Sequence, residues 1–176
     1  MDLRIVEVVE YDPSWPALFD AECTLLRHTL EGVAIAIHHI GSTAVPGLAA
    51  KPIIDMLMEV TDLQALDALS DRMMSIGYIP RGEYGIPGRR YFQKGGDNRT
   101  HHLHAFAAGD SNLLRHLAFR DYLRAHPEAS ADYGKLKKAL ANVCENDLER
   151  YCDGKDAFVK RLEAMAVKEK ASNHSA

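Results

Sequence analysis

Apolar residues recur along this chain with two different periods, and the switch between them sketches the fold. Trp15, Leu18, Phe19, Cys23, Leu26 and Leu30 fall at steps of three and four. That is the spacing of one helix face, set behind the start signal Asp12-Pro13-Ser14 and ahead of Gly32, a residue that ends helices. Ala34 to Ile40 is short and mostly apolar and predicts a strand. It stops at Gly41-Ser42, and the continuation Thr43-Ala44-Val45-Pro46-Gly47-Leu48 is too punctuated for a long helix. Pro52 opens a second strand, Ile53 to Val60. There Ile54, Met56, Met58 and Val60 share one face, while Ile53, Asp55, Leu57 and Glu59 share the other. One face is expected to be buried, and the other carries Asp55.

Loose alternation over Arg4 to Glu10 predicts an edge strand. Asp62 caps a helix expected to run through about Ser75, with Leu63, Leu66, Leu69 and Met73 or Met74 as its stripe and Gly77 as its end. Tyr78 to Pro80 reads as extended. Arg89 to Lys94 and Thr100 to Ala107 predict two strands of a hairpin joined through Gly95-Gly96-Asp97-Asn98. The last third is helical, over Asn112 to Ala125, Pro127 to about Val143 and Asp147 to about Val167. The fold class is therefore α+β, a mixed β-sheet with packed helices and a C-terminal helical segment.

A chain of 176 residues suits one domain, 1–170. The polar, small-residue end KEKASNHSA leaves 171–176 as an expected flexible tail. The net charge of -4 gives no long-range pull on a polynucleotide, which is disfavoured as a partner. Local clusters such as Arg89-Arg90 and Lys135 to Lys138 still suit a small anion. Three cysteines without CxxC spacing signal neither a disulfide framework nor a zinc knuckle and fit a reducing compartment. With no secretion-type start and no uninterrupted apolar run of about 18 residues, the expectation is a cytoplasmic chain with no membrane partner.

Candidate chemistry gathers at three places. Gly41-Ser42 at a strand end lets backbone N–H groups and a hydroxyl approach a phosphate, while Asp55 on the neighbouring strand offers a carboxylate to a metal bridging phosphate oxygens. Taken alone, a Gly-Ser pair is ordinarily no more than a turn. Asp55 lies amid Ile53, Ile54, Met56 and Leu57 and needs a cation or donors to be ionised there, which a structural lysine or arginine also supplies. His102 and His104, two apart on a strand, project from one face roughly 7 Å apart and suit one metal or one phosphate, while His101 points the other way. Lys137 and Lys155 interrupt apolar helix stripes, where a lysine either snorkels or meets an anion. Arg90 and Arg120, with Arg89 and Arg124, are either solvated or anion-binding. His39 is either an acid/base group or a packing residue, and alone it makes no triad with Ser42.

The strings HIGSTAVPGLAAKPIIDMLMEV (His39 to Val60), RTHHLHAF (Arg99 to Phe106) and FRDYLRAHPEASADYGKLK (Phe119 to Lys137) closely resemble the GrpB family, over nearly the whole chain. The resemblance implies a nucleotidyltransferase-like fold and a link to coenzyme A biosynthesis, since some bacterial members are fused to dephospho-CoA kinase. In the wider superfamily the Gly-Ser turn holds nucleotide phosphates, and a carboxylate pair on the next strand, with a third carboxylate, binds two magnesium ions. Gly41, Ser42 and Asp55 match that pattern. Leu57 stands at the second carboxylate's position, and Glu59, about 13 Å along the strand from Asp55, is a poor substitute. With His102 and His104 where a third acidic ligand would be sought, the expected metal ligands are Asp55, His102 and His104, holding Mg, Mn or Zn.

The leading expectation is a nucleotidyl- or phosphoryl-transfer enzyme acting on a nucleotide or phosphorylated small molecule. Ser42, Asp55, His102 and His104 are its catalytic candidates; His39, Gly41, Ser42, Lys51, Arg90, Arg120, Lys137 and Lys155 are its phosphate-binding candidates. The alternatives are a catalytically degenerate nucleotide- or coenzyme-binding module and a metal-dependent hydrolase with an Asp/His site.

Overall fold

Five strands form one mixed sheet in the computed structural model, which describes residues 5–175. β1 (Ala34–Ile40) pairs antiparallel with β2 (Ile54–Val60), and β2 runs parallel to β5 (His101–Ala107). β5 pairs antiparallel with β4 (Arg90–Lys94), as the expected hairpin, and β4 with β3 (Tyr78–Pro80), giving the order β1-β2-β5-β4-β3. The parallel register sets Asp55 beside His102 and Leu57 beside His104. Residues directly opposite one another share a face, so the pairing alone brings the carboxylate and both imidazoles together.

One face is covered by α1 (Trp15–Thr29), α2 (Leu63–Asp67) and α3 (Ser70–Ser75). Trp15, Leu26, Leu30, Leu66 and Met73 pack there on Ile37, Met56, Met58, Phe92 and Leu103 in the main core. Each such side chain contributes roughly 1.5–3 kcal/mol of burial. The other face is only partly covered. α4 (Ser111–Ala125) sets Leu113 and Leu117 on Ile40, Leu57 and Phe106. α5 (Pro127–Val143) and α6 (Leu148–Asn173) join it through Leu123, Tyr133 and Leu162, which pack on Val45 and Leu48 of the β1–β2 connection.

Four expectations change. The Asp55 face of β2 is buried in part, because α4 sits on Leu57, which is fully inaccessible, while Asp55 and Glu59 stay half-buried. Residues 5–10 form no strand but a single bridge between Val9 and Ala50, and Arg4 lies outside the described residues. The helix expected from Asp62 to Ser75 is two helices. A tight bond from Leu69 N–H to the Leu66 carbonyl interrupts the α pattern, while Leu66 and Met73 both stay in the core. Finally, α6 runs past Val167 to Asn173, taking in part of the expected tail. Glu169 pairs with His126, and Lys170 with Asp121, which tethers these last turns to α4 and its end. Among the described residues no helix is long and apolar enough to cross a membrane.

Candidate functional site

The uncovered part of the second face is the floor of a cleft of about 440 Å³. Asp55 on β2, His102 and His104 on β5, and Tyr91 and Gln93 on β4 line this floor. β4 pairs Tyr91 with His104 and Gln93 with His102, which fixes the row across three strands. His102 Nδ1 lies 3.3 Å and His104 Nε2 3.6 Å from the same oxygen of Asp55. Burial on its own would raise the Asp55 carboxyl, but the hydrogen bonds and charges of the two histidines overcome it and hold the group well below the usual carboxylate range. Asp55 is therefore an anion throughout the neutral range.

Gly41 approaches this carboxylate without intervening atoms. Its φ of +72° suits glycine, and a Cβ built there would stand 2.8 Å from Asp55 Oδ2. Ser42 follows in a single 3-10 turn, Ser42–Ala44, on the cleft rim.

The facing wall is cationic. Lys51 comes from the β1–β2 connection, Lys137 from α5 and Lys155 from α6, and all three line the cleft. Lys51 and Lys155 each lie over the Tyr151 ring, 5.3 and 5.1 Å from its centroid. Lys137 is only 2% exposed and its Nζ has no hydrogen-bond partner; it lies over the face of Tyr133, at 4.5 Å. Burial, aided by Lys155 and Lys51 and opposed by Asp55, pulls its pKa down to about 7. The snorkelling alternative for Lys137 fails, since its end does not reach water.

Three expected site residues are placed elsewhere. His39 alternates to the opposite face, hydrogen-bonds Thr43 Oγ1 at 2.8 Å and stacks on Phe19. Burial takes its pKa to about 4, so it is a neutral packing residue. Arg90 is locked in a two-pronged ion pair with Asp67, at 2.7 and 3.0 Å. Arg120 pairs with Asp121 and donates to the His39 carbonyl at 3.2 Å, while Arg124, one helical turn on, donates to the Ala44 carbonyl at 2.8 Å. These two arginines bracket the Gly41–Ser42 turn from behind rather than facing the cleft. His101 turns to the covered face, 3.8 Å from Glu22, as the strand period requires.

Sequence reasoning did not single out Tyr84, Tyr91, Gln93, Arg115, His116 or Tyr151 as site residues, yet all line the cleft. His116 has its Nε2 buried without a partner, and burial, with His104 and Arg115 nearby, lowers its pKa to about 3. Period-two reading of Arg89 to Lys94 would have found Tyr91 and Gln93. No local signal marks the α4 residues, which arrive through tertiary packing.

Asp55, His102 and His104, the expected metal ligands, do come together on the cleft floor. One ring nitrogen of each histidine faces Asp55, and the other meets an arginine, Arg99 at His102 Nε2 (3.4 Å) and Arg89 at His104 Nδ1 (3.3 Å); among the described residues no three His, Cys, Asp or Glu side chains are grouped as a metal site. A two-magnesium carboxylate set does not fit either. Leu57 fills the second position and is sealed between Ile40, Phe106 and Leu113.

The family model described as GrpB protein matches residues 5–165. The chain belongs to the GrpB family. It is 47% identical to the UPF0157 protein YqkA of Bacillus subtilis over 173 residues, 98% of this chain and 50% of that protein, so it spans half the length of that relative. The crystal structure of the conserved protein GrpB from Enterococcus faecalis superposes with a TM-score of 0.90 at 44% identity, covering 93% of this chain and 99% of that one. A dephospho-CoA kinase of Mycobacterium leprae is 29% identical over 86% of this chain and 44% of its own length. Cid1 poly(U) polymerase matches with a TM-score of 0.52 at 11% identity, over 77% of this chain and 44% of that one. At that identity the likeness is one of fold, and the fold of this GrpB chain is nucleotidyltransferase-like.

Proposed function

We propose that this GrpB domain binds a phosphorylated ligand of the nucleotide or coenzyme class in the cleft, with the phosphates held between Ser42 and the lysine wall. The observation that carries this reading is Lys137, whose Nζ is buried in the cleft with no hydrogen-bond partner. An unpaired buried cation costs several kcal/mol unless an anion meets it. Lys51 and Lys155 add positive charge at the same place, and Ser42 supplies a hydroxyl beside them. Coenzyme A precursors join nucleotides as candidates because of the kinase relative. A divalent ion travelling with the phosphates would meet Asp55 as the one carboxylate of the strand floor.

Transfer of a nucleotidyl or phosphoryl group is the second reading, favoured by the ionised Asp55 carboxylate with two histidines on one oxygen. Such a trio can hold and pass a proton at an acceptor hydroxyl.

Isothermal titration of the protein with nucleoside triphosphates, dephospho-coenzyme A and inorganic tripolyphosphate, in EDTA and then with Mg²⁺, Mn²⁺ or Zn²⁺, tests the first reading. Saturable binding weakened at least tenfold in Lys137→Met is expected. Absence of binding to every phosphate, or binding indifferent to Lys137→Met and Ser42→Ala, would refute it. Product formation lost in Asp55→Asn would establish the second reading on top of the first.

A further inference from the structure

The cleft has two chemically different ends, and the sheet fixes which is which. Ser42 and the lysines gather about the β1–β2 side, where Lys137 feels the charges of Lys155, Asp55 and Lys51. Crossing to β4 covers two strand spacings, about 10 Å, and the residues become aromatic. Tyr91 on β4 lies against the His104 ring at 5.1 Å on one side, and Tyr84 stacks on it at 5.1 Å with the rings 22° apart. Tyr84 comes from the β3–β4 connection, lines the cleft and is 61% exposed.

This exposure is held in place by the surrounding backbone. Tyr84 adopts a φ of +47°, the left-handed region that a residue with a bulky side chain rarely occupies. Arg89, 6% exposed, donates to the Tyr84 carbonyl at 2.6 Å and to the Glu83 carbonyl at 3.0 Å, while its guanidinium covers the Tyr91 ring at 4.8 Å. The Glu83 carboxylate in turn accepts from Gly88 N–H at 2.9 Å, closing the loop on itself. A loop folded against its own backbone preference, with an aromatic ring presented at a cleft mouth, is the kind of strain that persists where the ring has a use. Stacking on a flat π-face is that use, since every nucleobase offers one.

We propose that the cleft ligand is a nucleotide, or a coenzyme with a nucleotide moiety, whose base stacks on Tyr84 while its phosphates extend to Ser42 and the lysine wall. This rests on the phosphate reading above and adds the part that separates a nucleotide from any other phosphate. Base identity is not read by the stack, which is sequence-tolerant. ATP and UTP are therefore expected to bind with similar strength.

The test compares ATP, UTP and inorganic tripolyphosphate by titration calorimetry against the full chain, Tyr84→Ala and Tyr84→Phe. Because Tyr84 is exposed, the variants are expected to fold, and their unfolding midpoints check it. Expected is a loss of about tenfold in ATP and UTP affinity in Tyr84→Ala, near the low end of what one base–aromatic stack provides. Tripolyphosphate affinity should stay within about twofold, and Tyr84→Phe should retain nucleotide binding. Two results would overturn the inference while leaving the phosphate reading intact: equal wild-type affinity for tripolyphosphate and nucleotides, or nucleotide affinity unchanged in Tyr84→Ala. Failure of tripolyphosphate and nucleotides alike would instead remove the phosphate reading, and this inference with it.

Discussion

The two faces of β5 carry the same residue type to opposite ends. On the covered face, His101 joins a closed polar network in which Glu22 accepts from the Tyr78 hydroxyl at 2.8 Å and from Lys94 Nζ at 2.7 Å. Burial and Glu22 together push the Tyr78 phenol far above its ordinary range, so it stays a neutral donor. One residue over, His102 and His104 share a carboxylate on the floor of a cleft whose opposite wall holds a lysine without a partner. A polar cluster that satisfies itself orders the sheet, while the buried Nζ left unmet is the feature on which the ligand proposal rests. Counting histidines does not distinguish the two; tracing where each donor ends does.

The largest expected effect comes from forcing the missing acidic ligand into the cleft floor. Leu57→Asp would bury a carboxylate between Ile40, Phe106 and Leu113, and we expect about 4 kcal/mol of lost stability or failure to fold. A stable variant that gained tight Mg²⁺ binding by calorimetry would contradict the view that α4 has closed that position. Next, Glu22→Ala breaks the closed network and strands Lys94 and the Tyr78 hydroxyl. Urea unfolding should show a loss of about 3 kcal/mol with ligand affinity unchanged, because no cleft residue is touched.

Lys137→Met is expected to act in the reverse sense, raising stability by about 1 kcal/mol while abolishing polyphosphate binding. Its pH dependence sharpens the contrast. With the folded-state pKa near 7 and the ordinary lysine value at 10.5, the unfolded chain holds more protons than the folded one between those values. Wild-type stability should therefore climb as pH rises across that window and be lowest below about pH 7, a slope that Lys137→Met removes. Polyphosphate affinity should run oppositely, falling as pH rises through about 7 and the ammonium is lost. The smallest effect is expected from Arg124→Ala, which frees the Ala44 carbonyl behind the Gly41–Ser42 turn. A loss of about threefold in phosphate affinity at unchanged pH dependence would mark it as a positioning residue, because the partly buried bond it removes, on the order of 1 kcal/mol, holds the turn and not the ligand.

Much of this was legible in local pattern. Period two placed Asp55, His102 and His104 on single faces, and the mixed composition of strand and helix runs gave the α+β class. The parallel pairing that joins Asp55 to His102 was not legible, because register between segments distant in sequence is decided by the whole sheet. His39, Arg90 and Arg120 failed for a related reason. A polar residue near a motif looks available until its own partner is seen, and those partners, Thr43, Asp67 and the His39 carbonyl, come from folding. Tyr84 was missed because nothing in a turn-rich EYGIPG stretch distinguishes a presented ring from a spacer.

The contact between Gly41 and Asp55 also sets a mechanical tolerance. With 2.8 Å from a would-be Cβ to the carboxylate oxygen, the turn and β2 touch like a shim against a stop. No side chain fits between the two, so the proposed anion on Ser42 would be gauged from a nearby negative charge. Gly41→Ala would not merely crowd the cleft; it would reset the zero of that gauge.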